Sequence, residues 1–286
     1  MLVLERVSKS FGAVRAVDGL TLEVRAGEVF GLLGPNGAGK TTTIGMTIGL
    51  VRPDGGRIDI GGKGPPTHPA ARALLGVATQ SLALYDDLTA DENLRFYGAL
   101  FGLRGGALRA RADAVLEAVG LTGRRADRVG GYSGGMKRRL NLGVAMIHDP
   151  PLLLLDEPTA GVDPQSRASI LDLVRDLAGR GKTIVYTTHY MEEAQRLCTR
   201  VGVLDKGRLL DVGRVDDLIE RHGGESLVTI VRGVGEDAPR EVVRASDPAA
   251  VLREALAKDA SVASVHVEKP DLESVFLTLT GRRLRD

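Results

Sequence analysis

One octapeptide of this 286-residue chain combines three glycines with a lysine and a hydroxyl residue, a combination suited to holding phosphate. It fits the pattern G-x-x-x-x-G-K-[ST] and reads Gly34-Pro35-Asn36-Gly37-Ala38-Gly39-Lys40-Thr41. Glycines allow successive backbone N–H groups to converge on phosphate oxygens, and the lysine adds a positive charge. The Thr41 hydroxyl can join the oxygen shell of Mg²⁺. This segment, which we name the phosphate loop, predicts nucleotide binding, with a chance glycine turn as the alternative.

Two consecutive carboxylates, Asp156 and Glu157, follow the leucine run 152–155. Open α/β sheets bind ligands at the carboxyl ends of their strands, so we expect both side chains near the phosphate loop. Asp156 can hold Mg²⁺ through water, and Glu157 can polarise a water molecule for in-line attack. Two acids at the end of a strand are common by themselves, so the assignment depends on the phosphate loop.

The segment Ser133-Gly134-Gly135 stands before a helical pattern at 137–147. A hydroxyl and free N–H groups at a helix start form a second anion-binding geometry, although a plain helix N-cap is the ordinary alternative. One nucleotide rarely needs two such cradles from one chain. The Ser-Gly-Gly segment therefore suggests a site composed of more than one chain.

Elements able to position these residues follow the pattern of an α/β domain. Apolar runs without alternation suit strands buried on both faces of a parallel sheet, and they occupy 29–33, 151–155 and 183–187. Helical periodicity occupies 42–50, 91–103, 108–119 and 166–177. Partial alternation at 2–7 and 20–24 predicts an antiparallel sheet beside the main one.

Composition shifts near residues 213–224, and the segment beyond has its own pattern. Strands are predicted at 226–231, 241–244 and 261–267, and helices at 247–257 and 272–280. The segment contains no phosphate-binding glycine motif. We therefore predict a small α+β accessory domain.

Composition also excludes several functions. The chain carries 38 Lys and Arg against 37 Asp and Glu, with 5 Phe, 5 Tyr and no Trp. This balance argues against a nucleic-acid-binding protein. We expect no membrane-spanning helix and no signal peptide, hence a soluble, cytoplasmic chain. The single cysteine, Cys198, lies in the helical-looking segment 192–200 and is expected to be a buried structural thiol.

In type and order, these motifs resemble those of the ATP-binding subunits of ABC transporters, over residues 2–215. The resemblance implies an α/β fold: a P-loop NTPase core of the ABC ATPase type with an antiparallel β subdomain and a helical subdomain. The ABC ATP-binding domain is then expected at 1–215, its helical subdomain at about 85–150, and the small C-terminal α+β accessory domain at 222–286.

Five further features take roles from the resemblance. Phe11 resembles the aromatic residue that stacks on adenine, and Gln80 the glutamine that senses Mg²⁺ and the attacking water. His189 resembles the switch histidine on the γ-phosphate. The Ser-Gly-Gly segment resembles the signature that binds ATP held by the other protomer, and Asp163 belongs to a loop that crosses the dimer interface. Taken singly, Phe11 could be a core aromatic residue, Gln80 a surface amide and His189 a loop histidine. The Ser-Gly-Gly segment and Asp163 could be ordinary helix N-caps.

The resulting site has catalytic, metal-binding and nucleotide-binding members. The catalytic set is Lys40, Gln80, Glu157 and His189. The Mg²⁺ set is Thr41, Gln80 and Asp156. The ATP-contacting set is Phe11, Gly34, Pro35, Asn36, Gly37, Ala38, Gly39, Lys40, Thr41, Thr42, Ser133, Gly134, Gly135 and Asp163.

Two departures from the commonest family pattern indicate a branch. Tyr132 and Met136 replace Leu and Gln around the Ser-Gly-Gly segment, and 160–163 reads Ala-Gly-Val-Asp instead of Ser-Ala-Leu-Asp. Both variants, and the ending 272–281, are similar to the exporter branch of drug-resistance and nodulation-type ATPases. The resemblance implies ATP- and Mg²⁺-dependent export of a drug, lipid or polysaccharide-like compound. It further implies a homodimer at the cytoplasmic face of the cell membrane, bound through residues 80–103 to a separate polytopic permease.

Three other functions compete with this interpretation. An ABC-type ATPase without a transporter usually carries a second cassette, a coiled coil or a basic arm, and none is evident. A P-loop kinase or GTPase leaves the Ser-Gly-Gly segment unexplained, and the guanine-reading pattern Asn-Lys-x-Asp is absent from the sequence. A nucleotide-binding regulator without catalytic activity would not require Glu157 and His189, so the presence of both residues argues against it.

Overall fold

Contacts within the computed structural model, which describes residues 1–233, 238–258 and 262–282, divide the chain into two units. The first is Met1–Gly213 and the second is Arg214–Asp286. In the described part of the chain, no helix combines the length and apolar character that crossing a membrane requires.

A six-stranded sheet with the order β5-β6-β7-β3-β8-β9 forms the centre of the first unit. Its strands are β3 (Val29–Leu33), β5 (Leu75–Ala78), β6 (Leu152–Asp156), β7 (Thr183–Thr188), β8 (Arg200–Asp205) and β9 (Arg208–Arg214). Strands β5, β6, β7, β3 and β8 pair in parallel. Every residue of β3, β6 and β7 is buried, which confirms the expectation drawn from their unbroken apolar runs.

A second, antiparallel sheet with the order β2-β1-β4 lies beside the first. It contains β1 (Leu2–Phe11), β2 (Val14–Val24) and β4 (Gly55–Ile60). Leu4 and Ile60 from this sheet share one buried core with Leu32 of β3 and Leu154 of β6, and with Ile44 of α1 (Lys40–Thr47). This shared core fixes the phosphate loop, which joins β3 to α1, between the two sheets.

The helices of the first unit flank these sheets. They are α1, α2 (Pro69–Arg72), α3 (Ala90–Leu100), α4 (Gly105–Ala118), α5 (Gly134–Met146), α6 (Pro164–Gly179) and α7 (Met191–Leu197). Helix α3 begins with a capping box between Thr89 and Glu92, and it ends before Gly102, whose φ of +86° stops the helix earlier than predicted. Helix α4 begins at Gly105, three residues before the predicted start.

Cys198 lies directly after α7 in extended conformation, so the prediction that it belongs to a helix is wrong. The chain turns to pair with the main sheet here, because the Thr199 amide donates to the Val29 carbonyl. The thiol is buried, as predicted, and it packs against Gly31, where a Cβ atom would lie 2.9 Å from the sulfur. Burial raises the pKa of Cys198 far above its usual range, so the thiol stays protonated.

Among its described residues, the second unit contains the antiparallel sheet β11-β10-β12 and three helices. Its elements are α8 (Val215–His222), β10 (Ser226–Arg232), β11 (Arg240–Ala245), α9 (Pro248–Lys258), β12 (Val262–Glu268) and α10 (Leu272–Thr280). Val228, Ile230, Ala245 and Ala255 form its buried core. Alternation along β10 places Val228 and Ile230 on the face that α9 covers. Ser261, the first residue of the predicted strand 261–267, lies outside the described residues.

Candidate functional site

The phosphate loop requires glycine where the chain passes close to other backbone. A Cβ atom on Gly34 would overlap the Leu204 carbonyl, and one on Gly39 would overlap the Ala16 carbonyl. Gly39 also has a φ of +108°, a conformation that side chains with a Cβ rarely adopt. These contacts explain two of the three glycines in the motif.

Lys40 begins α1 and is almost completely buried. Its Nζ donates to the carbonyl oxygens of Gly34 (2.7 Å) and Pro35 (3.0 Å), and lies 3.1 Å from Oε1 of Glu157. The Glu157 side chain is also buried, so this ion pair is largely shielded from solvent. A buried charge left without its partner is costly, so each of the two side chains depends on the other.

Asp156 and Glu157 at the end of β6 have different environments. The Thr187 hydroxyl donates to Oδ1 of Asp156 (2.6 Å) and accepts from the Glu157 amide (3.0 Å), so it ties the Asp156 side chain and the Glu157 backbone to β7. Glu157 has a φ of +46°, a conformation that costs a non-glycine residue about 1–3 kcal/mol. This bend directs the Glu157 carboxylate toward Lys40.

Two predicted catalytic side chains meet at one oxygen of Glu157. Gln80 Nε2 donates to Glu157 Oε2 (3.4 Å), and His189 Nδ1 lies 3.4 Å from the same atom. Gln80 follows β5, Glu157 follows β6 and His189 follows β7, three neighbouring strands that end at one edge of the sheet. The structure therefore brings Lys40, Gln80 and His189 together around Glu157.

An open cavity of about 430 Å³ lies against this cluster. Its lining residues are Ala16, Asn36, Gly37, Gly39, Lys40, Thr41, Thr42, Gln80 and Glu157. Ala16 was missed by sequence reasoning, because nothing in its local pattern distinguishes it from other residues of β2. Gly34, Pro35 and Ala38 do not line the cavity; Gly34 and Pro35 instead supply the carbonyls that hold Lys40.

Phe11 lies at the end of β1 with 52% of its surface exposed, so the core alternative for this residue is wrong. Lys9 Nζ lies 5.5 Å from the Phe11 ring centroid and pairs with Asp54. Phe11 is not among the residues that line the cavity. Its exposed ring is available to a flat partner.

The Ser-Gly-Gly segment and Asp163 do not line the cavity of their own chain. Ser133 caps α5 by accepting from the Met136 amide (3.2 Å). Asp163 caps α6 by accepting from the amide (2.9 Å) and hydroxyl (2.6 Å) of Ser166. The hydrogen bonds from Ser166 lower the pKa of Asp163. Both N-cap interpretations are thereby confirmed, and neither excludes a second role at an interface.

Arg138, one turn into α5, connects the Ser-Gly-Gly helix to two site segments. Its guanidinium donates to the carbonyl oxygens of Gln80 and Ala160. Sequence reasoning missed this residue, since arginines on an amphipathic helix usually face solvent. Its two contacts fix the backbone on which Gln80 and the 160–163 loop depend.

Family comparison agrees with this geometry, since residues 17–160 match the model of a family described as ABC transporter. The chain is also 43% identical over its whole length to the linearmycin resistance ATP-binding protein LnrL of Bacillus subtilis, all of which is covered. The chain belongs to the ABC transporter family. It is an ATP-binding subunit of that family, with ATP hydrolysis as its activity.

Other relatives and solved structures support this assignment. The Nod factor export ATP-binding protein I of Ralstonia nicotianae is 40% identical, with 100% of this chain and 95% of that protein covered. A structure of an ATP-binding subunit of an ABC transporter has a TM-score of 0.71 and 31% identity, covering 78% of this chain and 93% of its own. A dimeric ATP-binding cassette in a post-hydrolysis state with ADP and Pi has a TM-score of 0.68 and 27% identity, covering 75% and 98%. The P-loop ABC ATPase fold predicted from the motifs is thus confirmed.

Proposed function

We propose that this chain powers export by hydrolysing ATP in sites shared by two copies, bound to a separate permease at the cytoplasmic face of the cell membrane. The observation that carries the proposal is the convergence of Lys40, Gln80 and His189 on the Glu157 carboxylate beside the phosphate loop. The names of the relatives, linearmycin resistance and Nod factor export, favour export of a drug or a lipid- or polysaccharide-like compound.

In the proposed reaction, Lys40 binds the terminal phosphates of ATP, and the glycines of the phosphate loop present backbone N–H groups to them. The Glu157 carboxylate accepts a hydrogen bond from the attacking water and orients that water for in-line displacement. Gln80 and His189 both approach Oε2 of that carboxylate, so they help to fix its direction. The exposed Phe11 ring stacks on adenine.

Oxygen donors near Lys40 fit Mg²⁺. Thr41 and Gln80 line the cavity, and Asp156 is the last residue of β6, at the same sheet edge. Mg²⁺ is commonly held by one or two carboxylates together with substrate phosphates, and this set supplies one. We assign these three residues as its ligands, where the metal would neutralise phosphate charge.

Sharing of the site between two copies is supported by the Ser-Gly-Gly segment. Gly134 is exposed, and a Cβ atom there would meet nothing within 4 Å in its own chain. Its own fold therefore does not require glycine at this position. A partner's nucleotide phosphate approaching the start of α5 would require it, since a close approach to backbone N–H groups leaves no room for a side chain.

An exposed aromatic cluster at the start of the helical subdomain supports permease docking. Tyr85, Phe96 and Tyr97 contact one another with ring centroids 5.1–6.2 Å apart. Tyr85 is 48% and Phe96 is 41% exposed. Aromatic residues are enriched at protein interfaces, and these lie within the predicted docking segment 80–103.

Replacing Glu157 by Gln tests the catalytic assignment. We expect ATP binding to persist, because the side chain keeps its shape, and phosphate release to fall by about 10²-fold or more, because the amide is a poor base. Glu117→Gln, an exposed change on α4, is the matched control and should retain wild-type activity. Undiminished phosphate release from Glu157→Gln would refute the assignment.

Permease docking is tested by affinity purification from detergent-solubilised membranes of the source cell. We expect a polytopic membrane protein to copurify with the wild-type chain, and to be lost with Phe96→Asp. Recovery of the chain without any polytopic protein would favour the competing ATPase that serves no transporter.

A further inference from the structure

Glu193, on α7, is a buried carboxylate that none of the site motifs includes. Only 3% of its surface is exposed. Three hydroxyl groups donate to its Oε2 atom, those of Thr159 (3.0 Å), Tyr186 (2.8 Å) and Thr188 (3.0 Å). Three donors on one buried oxygen are typical of an ionised acceptor, since charge-assisted hydrogen bonds are the strongest kind.

The three donors come from segments that flank the catalytic cluster. Thr188 directly precedes His189, and its hydroxyl also accepts from the Tyr190 amide (2.9 Å), which fixes the turn around the histidine. Thr159 lies two residues after Glu157 and begins the stretch that leads to Asp163. One carboxylate thus ties the histidine turn to the segment 159–163.

Arg167 extends this connection to α6, the helix that Asp163 caps. Its guanidinium Nε lies 3.5 Å from Glu193 Oε1, and the guanidinium stacks over the Tyr190 ring at 4.3 Å. The Tyr190 ring lies 4.1 Å from the His189 ring. Both oxygens of Glu193 therefore face groups connected to His189 or to Asp163.

We propose that Glu193 is a positioning residue that couples the 159–163 segment to His189. Asp163 belongs to the loop expected at the dimer interface, so closure of two copies around ATP would shift that loop and move Thr159, and Glu193 would carry the shift to the histidine turn. The inference rests on the proposed function and adds a route by which closure aligns the water-orienting groups.

Two alternative substitutions of Thr159, by valine and by serine, give the sharpest test. Thr159→Val keeps the size of the side chain but removes the hydroxyl, and Thr159→Ser keeps the hydroxyl. We expect Thr159→Val to lower kcat by about tenfold or more, since a hydrogen bond to a charged group is lost. The KM for ATP should stay within about twofold, and Thr159→Ser should restore most of the rate.

Substitution of Glu193 itself provides a second test of the coupling. Glu193→Gln should lower kcat in the same way, whereas Glu192→Gln, its exposed neighbour on α7, should not. If the two residues act through one network, the double variant Thr159→Val with Glu193→Gln should lose less activity than the product of the single losses. A general packing defect would instead weaken ATP binding and give multiplicative losses.

Wild-type kcat in Thr159→Val, or equal loss in Thr159→Ser and Thr159→Val, would overturn the proposed coupling. Failure of the proposed function is a different outcome, because Glu157→Gln would then continue to release phosphate. Hydrolysis that requires Glu157 but ignores Thr159 and Glu193 would refute only the coupling.

Discussion

Two adjacent glycines at the start of α5 give opposite predictions for the same substitution. A Cβ atom on Gly135 would come far inside the 3.0 Å that real Cβ contacts keep, against the side chain of Ser166. A Cβ atom on Gly134 would meet no atom within 4 Å. We therefore predict that Gly135→Ala destabilises the fold, whereas Gly134→Ala leaves the fold intact and disables hydrolysis.

The size of the Gly135 effect follows from the atoms involved. Ser166 could turn its hydroxyl aside, but its Cβ is fixed to α6 and would have to move by roughly 1 Å to reach ordinary contact. Overpacking of this kind costs about 1–3 kcal/mol. For a unit of this size, that corresponds to a decrease in Tm of about 2–12 °C. Both variants gain the same helix preference of alanine, so their difference isolates the clash.

The assay measures urea unfolding and phosphate release for both variants. Gly134→Ala should have a free energy of unfolding equal to or slightly above that of the wild type, with hydrolysis reduced by about tenfold or more, because the new methyl group blocks the partner's phosphate. Gly135→Ala should have a lower free energy of unfolding than the wild type. Because its methyl group displaces Ser166, the hydrogen bonds between Ser166 and Asp163 should also weaken. Equal stability of the two variants, or full activity in Gly134→Ala, would refute the reasoning.

Three further predictions concern other parts of the chain. Phe11→Ala should weaken ATP binding by about 1–3 kcal/mol and leave the affinity for inorganic triphosphate unchanged, as competition binding would show; equal losses would contradict adenine stacking. The His148 ring is stacked on Phe101 with centroids 3.6 Å apart, and burial lowers the pKa of His148 below its ordinary 6.5. The unfolded chain then takes up the proton more readily, so the free energy of unfolding should fall as pH drops below about 6.5. Urea unfolding should show a smaller fall for His148→Gln than for the wild type. Buried Cys198 should react with a disulfide reagent slowly in the native protein and rapidly in guanidinium; rapid native reaction would contradict the described burial.

The main sheet and the phosphate loop were predictable because their signals are contiguous. Strand β3 occupies the predicted residues 29–33, since five consecutive apolar residues can be buried on both faces only inside a parallel sheet. The phosphate loop is one uninterrupted motif, so its position between β3 and α1 followed from the order of residues. The element ends were less predictable: α3 and α1 stop early because Gly102 and Gly49 adopt positive φ values.

The sequence does not reveal the roles of three residues near the site, Ala16, Arg138 and Glu193. Ala16 reaches the cavity only because β2 packs against the phosphate loop, and Arg138 bonds to carbonyls distant along the chain. Glu193 depends on three hydroxyls that the fold brings together. Each role arises from tertiary contacts, and a local pattern contains no signal of them.

Mixing two inactive variants tests the shared site most directly. Lys40→Ala removes the lysine proposed to bind phosphate, and Gly134→Asp places a charge in the Ser-Gly-Gly segment, so each homodimer should be inactive. In a mixed head-to-tail dimer, one site regains an intact phosphate loop and an intact Ser-Gly-Gly segment from different chains. We predict that an equal mixture recovers hydrolysis, up to about a quarter of wild-type activity if dimers exchange randomly and the intact site works alone. Full activity of Gly134→Asp by itself, or no recovery in mixtures shown to contain the mixed dimer, would contradict the account.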